Sequence, residues 1–116
     1  GENFQNLAIA FRRIKNIIRG LQMFPLNSDK FLQKAEKALY ETYIQSLPDY
    51  EKALEKRDYA LAIGILTSFR PIVDRLFDEV LVMDPDEEKK NNRIALLQHV
   101  DAMFMRLVDM EKIVIE

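Results

Sequence analysis

The stretch that most constrains this chain is the apolar run over residues 76–83, LFDEVLVM, with the acidic proline corner that follows it. Leu76, Phe77, Val80, Leu81, Val82 and Met83 are too many apolar residues for a helix with one wet face. Asp84-Pro85 stops the run before a charged segment leads to a second apolar period beginning at Arg93. A corner of this kind joins two packed helices. Residues 70–97 are therefore expected at the heart of a helical bundle, with a helix over 71–82 as its central axis.

The remaining residues extend that expectation. A chain of 116 residues makes one domain that buries roughly two-thirds of its unfolded surface. Three glycines and four prolines leave too few turns for a many-stranded sheet. The reading is all-α, a single bundle of about five to six helices across residues 1–116. Phe4, Leu7, Phe11, Ile14, Ile18 and Leu21 recur at helical spacing, and Gly20 ends that helix. After a connector over 21–27, Ser28 or Asp29 is expected to cap a second helix burying Phe31, Leu32, Ala35, Ala38, Leu39 and Tyr43. Pro48 ends or kinks it, and a short helix over 49–56 follows. Asp58 caps a helix in which Gly64 suggests close helix packing, and Arg70-Pro71 separates it from the next. Asp84 is expected to cap with Pro85 and Glu87 behind it, and Asn91-Asn92 to interrupt the chain before a last helix burying Leu96 to Val108. The tail over 112–116, KIVIE, reads locally as extended and is expected to lie against the bundle or fray. The chain opens Gly1-Glu2-Asn3 without a methionine. That predicts a fragment of a longer polypeptide, with 1–3 as a possible cloning remnant.

The sequence carries none of the usual signatures of a catalytic or metal site. With no cysteine there is no thiolate or disulfide framework, and His99 has no second histidine for a metal site. No glycine-rich phosphate loop or nucleophile elbow occurs, and Asp74, Asp78 and Asp84 read as caps or ion-pair partners. No autonomous catalytic site is expected. The absence of a membrane-length apolar run or leader implies a soluble, cytoplasmic protein with no membrane partner.

Net charge of −2 argues against a generic polyanion binder and predicts no DNA partner, but the charge is unevenly distributed. Residues 1–27 hold Arg12, Arg13, Lys15 and Arg19 against Glu2 alone, a balance of +3, whereas residues 84–92 and 101–116 are each −2. On a helical wheel Arg12, Lys15, Asn16 and Arg19 share one flank, while Arg13 points to the opposite side from the core. Two readings fit this ridge: a solvated face that keeps the domain dispersed, or an edge that tracks phosphates, with Asn16 free to bond a base or sugar. Tyr40 reads as half-exposed packing in preference to a stacking platform.

The ordered set Arg12-Arg13-Ile14-Lys15-Asn16-Ile17, Lys37-Ala38-Leu39-Tyr40, Asp58-Tyr59, Pro71 to Met83 and Asn92 to Leu97 resembles the C-terminal region of the bacterial glycyl-tRNA synthetase beta subunit. It departs from that family at Leu76, where a second aromatic is common, and at Leu81, where methionine is usual. The resemblance implies a helical anticodon-binding domain of the DALR type, with tRNA-Gly as partner. It also implies the remainder of a beta subunit and an alpha subunit in an alpha2beta2 assembly. ATP and magnesium would serve the parent enzyme, with no cofactor in this segment. It raises the standing of Arg12, Lys15, Asn16 and Arg19 as RNA contacts and adds Arg70, Arg75 and Arg93 near the corner. The competing role for those three is pairing with Asp74, Asp78 or Asp86. The rival function is a protein-docking module, with the apolar corner at residues 80–83 against a partner subunit.

Overall fold

In the computed structural model, which describes residues 2–115 and the side chains of 4–110, every regular element among the described residues is a helix, as expected. Its elements are α1 (Glu2–Ile18), a 3-10 turn (Ser28–Lys30), α2 (Lys34–Glu55), α3 (Tyr59–Thr67), α4 (Arg70–Glu79) and α5 (Glu87–Ile115).

The axis of the bundle is α5 and not the expected 71–82 helix. Every residue from Asn92 to Gln98 is buried, so two successive turns of α5 have no wet face. Its 29 residues rise about 43 Å at 1.5 Å each, the length of the molecule's long dimension of 43 Å. By contrast α4 stops at Glu79, and Val80 is already extended at φ −127°, ψ 130°. From there exposure alternates, Val80 6%, Leu81 64%, Val82 3%, Met83 49%, the two-residue period of a strand. The β-branched valines favour that backbone and the following Pro85 opposes a helical Asp84, so half of the apolar run is core and half faces outward.

Around α5 pack α1, α2 and α3, while α2 also holds α3 and α4. Phe4 and Phe11 of α1 stack on Phe104 with centroids 6.1 and 4.8 Å away. Tyr50 of α2 is fully buried, and its hydroxyl donates to the Met103 carbonyl at 2.6 Å. Burial pushes that phenol far above its ordinary range, so it stays a donor.

Several boundaries move for identifiable reasons. The second helix begins at Lys34 rather than beside Ser28, because Glu36 reaches back to the Leu32 and Gln33 amides and forms a capping box with Gln33. Ser28 and Asp29 instead lie in a turn that Asn27 caps, and Leu32 is exposed. Pro48 neither ends α2 nor separates a short helix, since the element is continuous to Glu55. Asp58 does cap α3, accepting from the Leu61 amide at 3.2 Å. Gly64, expected at a close packing, faces open space: a Cβ there would meet nothing within 4 Å. Gly20 ends the α1 segment at φ 74°, the left-handed conformation that glycine adopts without strain.

At the corner, the Asp84 carboxylate accepts from the Asp86 amide and Asp86 accepts from the Lys89 amide, so Asp86 and not Asp84 caps α5. Asn91-Asn92 causes no break. Asn92 accepts from the Asn27 amide at 2.8 Å and donates to the Asn27 carbonyl at 2.9 Å. Six residues later Gln98 accepts from the Phe24 amide at 3.1 Å and donates to the Gln22 carbonyl at 2.8 Å. Two buried amides thus clasp the connector as a neighbouring strand would. The backbone over 112–115 is helical, against the extended reading, while the expected packing of its side chains lies outside the described residues.

Candidate nucleic-acid interface

The four residues of the α1 ridge separate into two groups. Arg12, Asn16 and Arg19 are exposed on one flank, and the Asn16 amide oxygen accepts from the Arg19 guanidinium at 3.1 Å. Arg12 has no carboxylate partner among the described residues. Lys15, one position nearer the core on the wheel, turns inward. Its ammonium is 3.2 Å from Asp101 and 5.5 Å from the centre of the Phe104 ring, and it also bonds the Met105 sulfur. It serves the α1–α5 contact. The other Asp101 oxygen, Oδ1, is buried without a partner among the described residues, so Lys15 is the charge that keeps this carboxylate compensated.

The corner arginines also diverge. Arg93 is 4% exposed and forms the centre of a buried junction. Its Nε donates to Glu36 at 3.0 Å, and one terminal nitrogen donates to the Leu81 carbonyl at 2.7 Å and to Asp84 at 3.3 Å. It cannot reach RNA. Pairing is the competing role for this side chain, but with partners other than Asp74, Asp78 or Asp86. The Asp86 amide, first in size, holds the Asp84 carboxyl below the usual carboxylate range; desolvation comes next and opposes it, and the charge and hydrogen bond of Arg93 add to the lowering. Arg75 pairs with Glu79 one turn ahead on the exposed face of α4. Arg70 is exposed at the start of α4, with no ion-pair or hydrogen-bond partner for its side chain among the described residues.

The structure brings Arg70 together with a residue that the wheel sets aside. Arg13 lies on the α1 flank opposite Arg12 and Arg19, and its guanidinium sits 4.4 Å from the centre of the Phe77 ring. Phe77 and Arg70 are seven apart on α4 and so share a flank, the one facing α1. Arg70 also borders a cleft of about 660 Å³ between α1 and α3, whose wall includes Asn6, Ala10, Gly64 and Thr67. The signal for this second surface is the spacing Asn6, Ala10, Arg13 along α1, a wheel position that points away from both ridge and core. Only a helix pair packed on that side gives it a role.

His99 makes no candidate centre. It borders the core with Nδ1 2.8 Å from the Ala95 carbonyl and its ring edge-on to Tyr43 at 5.9 Å. No group of three or more His, Cys, Asp or Glu side chains among the described residues is placed to hold a metal ion.

The chain's residues 7–113 match the model of the DALR anticodon binding domain. The chain belongs to this family. It is 35% identical over 115 residues to the glycine–tRNA ligase beta subunit of Thermodesulfovibrio yellowstonii and 31% identical over 113 residues to that of a Sulfurihydrogenibium species, each alignment covering 97% of the chain. The beta subunit of Clostridioides difficile is 35% identical over 105 residues, 90% of the chain. The matches fall in the C-terminal part of those subunits, and the chain spans about a sixth of their length. A DALR domain carries an anticodon-binding function on helices, which accords with an interface made of helix flanks rather than a loop.

Proposed function

We propose that these 116 residues are the tRNA anticodon-arm binding domain of a glycine–tRNA ligase beta subunit and contribute to recognition of tRNA-Gly for aminoacylation. The observation that carries this reading is the family match over residues 7–113. In support, Arg12 of α1 and Arg19 just past its end, neither with a carboxylate partner among the described residues, stand on one exposed flank where phosphates would meet them.

On this reading the domain binds and positions RNA and performs no bond-making step. Glycine activation with ATP and magnesium belongs to the alpha subunit of an alpha2beta2 enzyme working in the cytoplasm. No described helix is long and apolar enough to cross a membrane. The net charge of −2 limits non-specific attraction, so affinity rests on a few placed arginines rather than on a broad field. DNA is accordingly not a partner.

A second reading has one specific observation behind it. Leu81 and Met83 project outward at 64% and 49% exposure, and a partner subunit docked at this corner would cover them. One titration separates the two readings. The intact enzyme is titrated with tRNA-Gly, with tRNA-Gly altered in its anticodon, and with a non-cognate tRNA, at low and moderate salt. Anticodon-dependent, salt-sensitive affinity supports the RNA reading. Affinity indifferent to the anticodon and to substitution of Arg12 and Arg19 sinks it and leaves the docking role.

A further inference from the structure

We propose that the cleft between α1 and α3 receives unpaired nucleotides of the RNA loop, with Gly64 opening its floor and Arg70 and Arg13 holding the phosphates. This inference rests on the anticodon-arm reading and adds a surface to it, distinct from the Arg12–Arg19 flank. The cleft volume of about 660 Å³ lies within the ~300–1,000 Å³ range of ligand pockets.

Charge selects the occupant. None of the described residues bordering this cleft is acidic, and Arg70 stands at its edge. Three other cavities each carry carboxylates: Asp29, Glu36, Asp86 and Glu88 beside Lys30 and Lys89 in one, Glu88 beside Lys30 in the next, and Asp49 and Asp58 beside Lys52 and Lys56 in the last. A phosphate chain meets net repulsion at the first of these, balanced charge at the other two, and attraction at the α1–α3 cleft.

Gly64 supplies an independent argument. It lies inside α3, exposed, outside the left-handed region, and with nothing near its missing Cβ. Neither a turn nor a close contact within the fold offsets the helix penalty of an interior glycine. What the missing side chain leaves is bare helix backbone in the cleft, over which a flat ring can lie. Around it stand groups that can bond base edges. The Asn6 amide is exposed, and the Thr67 hydroxyl, having donated to the Ile63 carbonyl at 2.7 Å, keeps its lone pairs for accepting. Arg13, one turn beyond Ala10 and outside the cleft's own lining, sits over Phe77 on the flank of α4 that also carries Arg70.

The test uses the full-length enzyme with Gly64→Ala, Gly64→Leu or Arg70→Ala, measuring affinity for a tRNA-Gly transcript across salt and thermal melting of each variant. Gly64→Leu is expected to weaken binding by roughly tenfold, the scale of a single stacked base. Gly64→Ala should weaken it less while melting no lower than the wild type. Arg70→Ala should weaken binding and flatten its dependence on log salt by about 0.7. If wild-type enzyme binds tRNA-Gly and all three variants bind within about twofold of it, the cleft proposal is overturned while the anticodon-arm reading stands. If wild-type enzyme shows no anticodon-dependent binding, both fall. Lower melting of Gly64→Leu with unchanged affinity of the folded enzyme also overturns the proposal, because another part of the protein then covers the cleft.

Discussion

Arg93 of α5 and Glu36 of α2 meet at 3.0 Å with side chains only 5% and 4% exposed, and this pair joins three separate elements. Glu36 caps α2 through the Leu32 and Gln33 amides, and Arg93 ties down the extended corner through Leu81 and Asp84. Arg93→Ala leaves a buried carboxylate uncompensated and is expected to destabilise the fold by about 3–5 kcal/mol. Glu36→Leu combined with Arg93→Met should cost less than the sum of the two single changes, although removal of the cap still costs about 1 kcal/mol. Urea unfolding of both single variants and the double measures the coupling, and additive costs would contradict it.

On the α1 ridge the same type of substitution should have two different effects. Arg12→Ala with Arg19→Ala is expected to weaken tRNA-Gly binding across anticodon variants, with little change in stability. The slope of log affinity against log salt should fall by about 0.7–0.9 for each phosphate that is no longer neutralised. Lys15→Ala should instead cost about 1–3 kcal/mol of stability, because Asp101 is left without the one cation that pairs with it among the described residues. Parallel titrations and melts decide it; a purely electrostatic effect of Lys15 on RNA affinity would show that it is free to leave Asp101.

The acid limb of stability should depend on Asp84. Its folded-state carboxyl lies below the ordinary range, held there first by the Asp86 amide and also by Arg93. A depressed folded value stabilises the fold above the unfolded carboxylate value near about 3.9, and that contribution is lost as pH falls through the lower folded value. Asp84→Asn should therefore be less stable than the wild type at pH 7 and lose less between pH 5 and pH 2. Denaturant midpoints across that range test the prediction, and parallel curves for the two proteins would refute it.

Asn92 and Gln98 should control the connector without controlling α5. Replacing either by alanine removes two hydrogen bonds to connector backbone, an expected cost of about 1–3 kcal/mol. Hydrogen exchange is the sensitive probe. Protection at the Asn27 amide should fall in Asn92→Ala and at the Phe24 amide in Gln98→Ala, with the α5 core unchanged.

Helix identity is legible from periodicity wherever one face meets the core, as in α1, and so are the Asp58 cap and the Gly20 stop. Periodicity cannot rank the helices. The run at residues 76–83 looks central because it is dense in apolar side chains, yet its extended half buries only alternate ones. The true axis is masked because its buried turns include Asn92, Arg93 and Gln98, polar residues that belong inside only once their partners on α2 and the connector are in place. The ridge is legible as charge but not as packing. Lys15 and Arg12 are three apart on a helix, and a rotation of about 60° separates a partner of Asp101 from a solvent-facing guanidinium. Arg93 reads as a surface candidate for the same reason, since nothing near it in sequence announces Glu36, 57 positions earlier.

The stacking of Phe4 and Phe11 on Phe104 sets a timetable for the chain's production. On the ribosome the apolar stripe of α1 emerges first, and its partner helix follows roughly 90 residues later. At a synthesis rate of about 5–20 residues per second, the interval is on the order of 5–20 s. Throughout it Phe4 and Phe11 have no α5 to cover them. The nascent polypeptide therefore carries a hydrophobic helix that invites chaperone capture, and the domain acquires its final form only as its last helix is made.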